Sequence, residues 1–382
     1  MAPIKIIKII EIVENTVCIY RNFIFYGPVC KTSIVLRSII ELLMYLALLL
    51  NSCYYIFFQV NDITDNRKYF FIIFCGAGAL NDIIFVSCGI FSTNCYKSFI
   101  KNLLAVHNIY KKQPKYNRYL KKLTLVSVSS FTAFIIIRII LTLSKSIEGG
   151  ILSELESMVV LILIHFAEAW SEIHYVIEMF ALYTYIYLVY NLLQCLNSSI
   201  IKIQMELNGQ ETLNLKKNKI NILNQMKRLM EQYNKLVNCC KQLSQLTSLS
   251  WIEYLFIFAL ISFSSPVLRR IFFQDTKRYL HAYDSLLVMI YYMYAMFMSF
   301  YISQKLHNET IALKRTLSKL YNTVSINPTT QTENVSKFKL LIKINTIQIQ
   351  FSKVVVGMYL IPTILSFFAS YIIIILQFNN VV

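Results

Sequence analysis

The chain has 382 residues, of which 56% are hydrophobic and only 15% are charged, and its mean hydropathy is +0.53. Soluble domains usually carry about 25% charged residues, so this composition excludes an ordinary soluble protein and predicts a membrane protein. The formal net charge is +17, from 37 Lys and Arg against 20 Asp and Glu. Such an excess is compatible with nucleic acid binding, anionic lipid binding, or loops retained in the cytoplasm.

Seven stretches are long and apolar enough to cross about 30 Å of hydrocarbon: 38–59, 69–91, 123–143, 157–189, 250–268, 285–304 and 354–378. The fifth is the weakest, because it is short and contains Glu253 and Pro266. The fourth is longer than a bilayer requires, so we expect it to continue into water or to tilt. The sequence therefore predicts an all-α membrane protein with seven transmembrane helices and long cytoplasmic helical extensions.

The basic residues predict the orientation of these helices. Of the 37 Lys and Arg, 29 lie in four segments: 1–37, 92–122, 190–249 and 305–353. Segment 92–122 is extreme, because it has eight basic residues and no acidic residue. By the positive-inside rule the four segments are cytoplasmic, which places the amino terminus inside and the tail 379–382 outside the cell. Nucleic acid is then not needed to explain the net charge.

Two of the basic segments also have helical patterns of apolar residues. Segment 190–249 repeats them at three and four residues, with an interruption at Asn208-Gly209 that predicts two helices, and 305–323 behaves similarly. Amphipathic helices of this kind either lie on lipid headgroups or pack together. We favour packing, with a further helix over Lys337–Phe351, because the basic residues are spread over several faces. The polar stretch 327–332 is predicted to be a loop.

Enzymatic motifs are absent from the sequence: it has no nucleophilic triad, phosphate-binding loop, dinucleotide fingerprint or metal signature. We therefore predict no catalytic residue, no metal and no cofactor. The nine cysteines lie in spans or in cytoplasmic segments, so they indicate no disulfide framework. The adjacent Cys239 and Cys240 are interpreted as reduced helix residues.

Several ionisable residues lie at predicted membrane depth, where they are costly and usually face a cavity or each other. The second span contains Asp82, the third contains Arg138, and the fourth is the richest, with His165, Glu168, Glu172, His174 and Glu178. Arg138 either reaches the outer interface or pairs toward Glu168 or a ligand. The tyrosines at 291, 292 and 294 in the sixth span either pack between helices or line a pocket.

The last span ends with Ser370-Tyr371, five aliphatic residues, and Gln377-Phe378. A Gln at the end of a lipid-facing helix would only reach headgroups. In several copies around a pore, however, the aliphatic rings would close it by dewetting and the Gln amides would contact ions.

This stretch is similar to the carboxyl-terminal signature of the insect gustatory receptors: Thr-Tyr, five hydrophobic residues and Gln-Phe, with Ser370 in place of Thr. The related insect odorant receptors share a weaker version. Chain length, seven spans, a cytoplasmic amino terminus and a short outer tail are also similar to that family. One departure is a Gly-x-Phe upstream of the last span, for which Gly357-Met358-Tyr359 is the nearest match.

The resemblance implies a ligand-gated cation channel in the plasma membrane of sensory neurons, formed as a homotetramer or with related receptors. Residues 38–304 would form the ligand-binding domain, 305–353 would anchor the subunits, and 354–378 would line the pore. Gln377 would lie at the constriction, with Ile374 as a hydrophobic gate and Phe378 beside it.

The implied outer-half pocket would hold a small-molecule tastant, and we select its residues by depth. The candidates are Arg138, His165, Glu168, Trp170, Tyr291, Tyr292 and Tyr294. Bitter compounds and sugars both fit, with a weak preference for bitter compounds. The alternative is an odorant receptor subunit. A G-protein-coupled receptor is disfavoured by the inverted topology, and a transporter by the presence of only 8 Gly.

Overall fold

The structure is a computed structural model that describes residues 5–16, 39, 43, 46, 93–150, 155–208, 222–246, 279–325, 330–351 and 354–378. The predicted spans 69–91 and 250–268, nearly all of 38–59, and Asp82 lie outside the described residues. The described elements are α1 (Lys5–Thr16), α2 (Thr93–Tyr110), α3 (Pro114–Gly150), α4 (Leu155–Asn208), α5 (222–246), α6 (Tyr279–Ser325), α7 (Thr330–Ile344), β1 (Gln350–Phe351), β2 (Val354–Val355) and α8 (Leu360–Phe378).

Two helices are far longer than a bilayer is thick. α4 has 54 residues and α6 has 47, which correspond to about 80 and 70 Å at 1.5 Å per residue. The two helices pack along each other. Each therefore continues well beyond the apolar stretch that predicted it, α4 from position 189 to Asn208 and α6 from position 304 to Ser325.

The continuations of α4 and α6 pack with other helices into a common core. We call this assembly the basal bundle and define it as α2, residues 190–208 of α4, α5, residues 305–325 of α6, and α7. The apolar positions that predicted amphipathic helices are its fully buried residues: Leu192, Leu196, Ile200, Tyr233, Leu236, Leu306, Leu313, Leu317 and Leu320. These faces contact protein. The helices therefore pack together, as we favoured, and do not lay these faces on lipid headgroups.

α5 lies between α2 and the segment that follows α7, and side-chain hydrogen bonds fix its position. On one side, Tyr110 donates to Oε1 of Gln232 at 2.6 Å, and Gln242 donates to Oγ of Ser98 at 2.6 Å. On the other side, the Tyr233 hydroxyl donates to the carbonyl of Asn345 at 2.6 Å. Because lower-numbered residues of α2 pair with higher-numbered residues of α5, the two helices are antiparallel.

Several connections between the predicted spans are helical. The basic segment 92–122 forms α2 and the start of α3. α3 continues to Gly150 and α4 begins at Leu155, so both extend past the predicted spans 123–143 and 157–189. The stretch 327–332, predicted to be a loop, is helical from Thr330, where α7 begins.

The helix predicted over Lys337–Phe351 ends at Ile344, and extended backbone leads from there into a small antiparallel sheet. In this sheet Gln350 pairs with Val355 and Phe351 with Val354. The cause is a period of two, because buried Ile347 and Ile349 alternate with polar residues. The predicted all-α fold is thus interrupted by one hairpin, and the last helix begins at Leu360 instead of position 354.

The hairpin connects to α8 through Gly357, which packs closely against α6. A Cβ at this position would lie 2.8 Å from the Tyr359 ring and would clash with the side chain of Gln304. Leu360 then donates its amide to the Gly357 carbonyl at 3.0 Å, which starts α8. α8 is therefore joined to the basal bundle by a short connection in which a larger residue at Gly357 would require the Gln304 and Tyr359 side chains to move.

Candidate functional site

The structure describes the side chains of three predicted ligand-pocket residues, Arg138, Tyr291 and Tyr294. Arg138 is only 3% exposed on α3, and Phe134, one turn before it, is also buried. The Phe134 ring lies on the Tyr291 ring of α6, with centroids 4.3 Å apart. Arg138 therefore projects into the chain's interior instead of snorkelling, on the same helical face that carries the aromatic contact to α6.

Of the remaining five candidates, one has a described side chain and four do not. Tyr294 follows Tyr291 by one turn of α6 and is 51% exposed. His165, Glu168 and Trp170 belong to α4, but their side chains lie outside the described residues, as does the side chain of Tyr292. A pocket formed by all seven candidates stays a prediction.

Sequence reasoning missed the polar residues buried along the contact between α4 and α6. Thr184 and Asn191 of α4, and Ser299 and Ser303 of α6, are each at most 1% exposed. Small and hydroxylic side chains allow apolar helices to approach closely, so these positions fit a tight seam. Four isolated Ser, Thr and Asn residues within two apolar helices give no signal in the sequence. Glu178, one of the ionisable residues of the fourth predicted span, is buried at 4% exposure.

The turn between α2 and α3 is held together by a buried polar contact. Nδ1 of His107 lies 2.9 Å from the Tyr116 hydroxyl. Burial, and secondarily the charge of Lys111, lowers the pKa of His107 to about 4, so the imidazole is neutral at pH 7. Burial also raises the pKa of Tyr116, and this tyrosine remains a neutral hydrogen-bonding partner.

The thiols of the basal bundle are chemically quiet. Cys195, Cys239 and Cys240 are free and buried. Burial raises the pKa of Cys195 to about 11 and that of Cys240 to about 12. Both thiols are therefore protonated and poor nucleophiles at neutral pH, as expected of packing residues.

One face of α8 packs against the rest of the chain, and the opposite face is exposed. Leu360, Ile361 and Ile364 are half-buried, and the latter two pack against the core. The opposite face is exposed and includes Thr363, Ser366, Ser370 and Ile373. We call Thr363, Ser366 and Ser370 the hydroxyl stripe, since at 100° per residue they lie within about 60° of one another. The Ser370 hydroxyl donates to the Ser366 carbonyl at 2.9 Å.

The signature residues form the last two turns of α8. Position 377 follows Ser370 by seven residues, so it falls within about 20° of Ser370 in helical register. Ile374 lies one turn earlier and Phe378 ends the helix. The side chains of Tyr371, Ile374, Gln377 and Phe378 lie outside the described residues.

Comparison with known proteins identifies the fold. No family model and no curated protein matches the chain. Solved structures match the chain over nearly its full length. Among them is the insect olfactory receptor OR5 from Machilis hrabei, with a TM-score of 0.61, 14% identity and 98% of both chains covered. Another is the same receptor in complex with eugenol, with a TM-score of 0.58, 15% identity and coverage of 98% of this chain and 99% of that one.

The chain therefore has the fold of an insect olfactory receptor, and the predicted resemblance to the insect chemoreceptors is confirmed at the level of the fold. Among the described residues, two stretches are long and apolar enough to span a membrane, Pro114–Leu141 and Val176–Leu207. The count of seven spans and their orientation stay predictions.

Proposed function

We propose that the chain is a gustatory-type receptor subunit that opens a cation-permeable pore when a small tastant binds. In this proposal the protein lies in the plasma membrane of a sensory neuron, with its amino terminus in the cytoplasm. Four copies, or copies mixed with related receptors, surround one pore. The observation that carries the proposal is the exposed hydroxyl stripe on α8, which leads in register to Gln377.

The stripe suits a pore better than a lipid surface. The Ser370 hydroxyl donates to the helix backbone, but its oxygen can also accept a hydrogen bond. Lipid tails offer no donor for that oxygen, whereas water in a pore does. Thr363, Ser366 and Ser370 all lie on the exposed face. With α8 copies arranged around an axis, this face would line the pore, with Gln377 at the constriction, Ile374 as the hydrophobic gate and Phe378 beside it.

The basal bundle supplies the support that gating requires. It is well packed, and its end at the hairpin is joined to α8 through Gly357. We assign 305–353 as the anchor and 38–304 as the ligand-binding part. Movement of α3 or α6 caused by a ligand would then reach α8 through α6 and Gly357.

The ligand site is proposed near the contact of Phe134 with Tyr291, because Arg138 is buried one turn away. An aromatic surface beside a buried cation suits polar aromatic ligands or sugars. The complete proposed set is Arg138, His165, Glu168, Trp170, Tyr291, Tyr292 and Tyr294. The related olfactory receptor was solved with eugenol, so small phenols belong in any ligand panel.

The test is a current and calcium screen of the full chain in a heterologous cell. Bitter compounds, sugars and volatile phenols are applied side by side. A tastant-evoked cation current supports the proposal. A response to volatile compounds alone would overturn the taste assignment in favour of an odorant receptor. If reconstituted protein passes no current with the whole panel, channel function itself is overturned.

The pore assignment has its own test. Gln377→Ala should change unitary conductance or ion selectivity about twofold or more, because the amide would contact ions at the constriction. Leu365→Ala is the control, since Leu365 is 45% exposed but lies about 140° from the Ser370 direction. Unchanged permeation in the Gln377→Ala variant would mean that α8 does not line the pore.

A further inference from the structure

The surface around the turn between α2 and α3 is strongly cationic. All eight basic residues of 92–122 are exposed, and none forms an ion pair with another residue that the structure describes. No acidic residue occurs in this segment. The residues are Lys97, Lys101, Lys111, Lys112, Lys115, Arg118, Lys121 and Lys122. Cations that are not paired with the described residues repel one another, and an anion nearby would relieve this repulsion.

The turn that presents this charge is rigid. The Lys111 amide donates to the His107 carbonyl at 2.9 Å, and the Asn117 side chain donates to the Lys111 carbonyl at 2.8 Å. From inside, His107 contacts Tyr116. Since His107 is neutral, the positive charge of the turn is confined to its outer surface. The backbone that carries Lys111 and Lys112 is therefore fixed by hydrogen bonds.

One face of α3 continues this cationic surface into an apolar one. Lys115, Arg118 and Lys122 lie within about 60° of one another, and the same face continues through three exposed apolar residues, Leu125 at 72%, Ile136 at 52% and Ile140 at 57% exposure. We call these six residues the lipid stripe. Tyr116, Leu123, Ser127, Phe134 and Arg138 occupy the opposite face and are buried.

The lipid stripe is long enough to accommodate one phospholipid. Its cationic part, from Lys115 to Lys122, is about 10 Å long at 1.5 Å per residue, and its apolar part, from Leu125 to Ile140, is about 22 Å long. A headgroup layer is about 5–7 Å thick and one leaflet of hydrocarbon about 15 Å. The change from basic to apolar falls between Lys122 and Leu125, where the third predicted span begins.

We propose that the lipid stripe binds a polyphosphorylated phosphoinositide of the cytoplasmic leaflet. Lys115, Arg118 and Lys122 hold the phosphates, with Lys111, Lys112 and Lys121 close enough to add charge. An acyl chain lies along Leu125 and Ile136. Several phosphates match this many cations better than a headgroup with one net charge does. The proposal rests on the predicted cytoplasmic orientation of the turn and does not require channel activity.

The lipid would lie directly behind the proposed ligand site. Phe134 and Arg138 project from α3 toward the chain interior, while the lipid stripe faces away from it. A lipid that fixes α3 from outside would therefore restrict the helix that carries the Tyr291 contact.

The experiment measures binding of a fluorescent phosphatidylinositol 4,5-bisphosphate to the purified full chain in neutral detergent. The triple variant Lys115→Gln/Arg118→Gln/Lys122→Gln should bind about tenfold or more weakly, since each basic residue near an anionic headgroup contributes substantially. The matched control Arg315→Gln/Lys319→Gln/Lys343→Gln removes the same charges from exposed positions elsewhere and should change binding less than about twofold.

A second comparison separates lipid from free phosphate. Leu125→Ser/Ile136→Ser should weaken binding of the lipid but leave binding of soluble inositol trisphosphate unchanged. Three results would each overturn the proposal. The two triple variants could lose lipid binding equally, phosphatidylcholine could bind as tightly as phosphatidylinositol 4,5-bisphosphate, or soluble inositol trisphosphate could bind as tightly as the lipid. Because no current is recorded, failure of lipid binding is distinguishable from failure of the proposed channel.

Discussion

Two helical stretches of similar apolar character have opposite surroundings in this molecule. Only 22% of the 18 most apolar consecutive residues of Pro114–Leu141 in α3 are buried. In Val176–Leu207 of α4 the corresponding share is 78%. Ile139 of α3 is 51% exposed, while Ile186 of α4 is fully buried. Hydropathy alone therefore identifies apolar helices but does not say whether lipid, another subunit or the chain itself covers them.

The difference also indicates where folding stability resides. Burial in the basal bundle removes apolar surface from water, which contributes about 25 cal/mol per Å². An apolar residue on α3 or α8 that passes from lipid to protein gains no comparable hydrophobic term, because lipid tails are equally apolar. We therefore expect truncations in the basal bundle to destabilise the protein, and truncations on the exposed faces to act mainly on binding or permeation.

The largest expected effect is on the stability of the basal bundle. Phe338 of α7 is fully buried, with its ring 5.8 Å from that of Tyr233. Phe338→Ala should lower the free energy of unfolding by about 3–5 kcal/mol, because it removes the ring and leaves a cavity. The measurement is thermal unfolding of the purified chain in detergent.

The control for this prediction is Ile139→Ala on the exposed face of α3, which should change stability by less than about 1 kcal/mol. Comparable Tm losses in the two variants would contradict the contrast between the regions. A loss confined to Ile139→Ala would mean that another subunit covers α3 and stabilises the fold there.

Predictability from sequence differs between the same two regions. The basal helices were predictable, because Leu192, Leu196 and Ile200 repeat at helical spacing and are all buried. The hairpin was not predicted, because the sequence favoured a helix over Lys337–Phe351 that includes Ile347 and Ile349. These two residues do alternate with polar residues, as in a strand. A two-residue strand needs the partner strand and α6 to fix it, and a local pattern does not contain them.

The candidate ligand site was less predictable. The depth of Arg138 and Tyr291 followed from span positions, but their relation through Phe134 depends on how α3 and α6 rotate about their axes. Packing against α4 sets this rotation, and no local residue pattern encodes it. The same reasoning selects Tyr294, whose side chain is 51% exposed, and its place in a pocket stays a prediction.

A smaller effect is expected from acid at the turn between α2 and α3. The pKa of His107 in the folded chain, about 4, lies below its ordinary value of 6.5. The unfolded chain therefore takes up the proton first as pH falls. The stabilisation is complete above about pH 6.5 and is lost as pH falls from there toward 4. We expect about 1–2 kcal/mol between pH 7 and pH 5, less than the full shift implies because the ring is partly hydrated.

The matched variant is His107→Gln, which retains a hydrogen-bonding side chain opposite Tyr116 but does not titrate. Its stability should vary less with pH over the same range, measured by thermal unfolding at a series of pH values. If wild type and variant lose stability in parallel, the acid sensitivity comes from other groups.

The smallest effect on stability is expected on the exposed face of α8. Ser370→Thr restores the residue that the gustatory receptor signature has at this position. Thr keeps the hydroxyl that donates to the Ser366 carbonyl at 2.9 Å, and the added methyl group projects from an exposed face. Stability should therefore change by no more than about 0.5 kcal/mol, and evoked current should be preserved. A drop in Tm of several degrees would show that this face is packed against another subunit, so that a single methyl group is enough to disturb the contact.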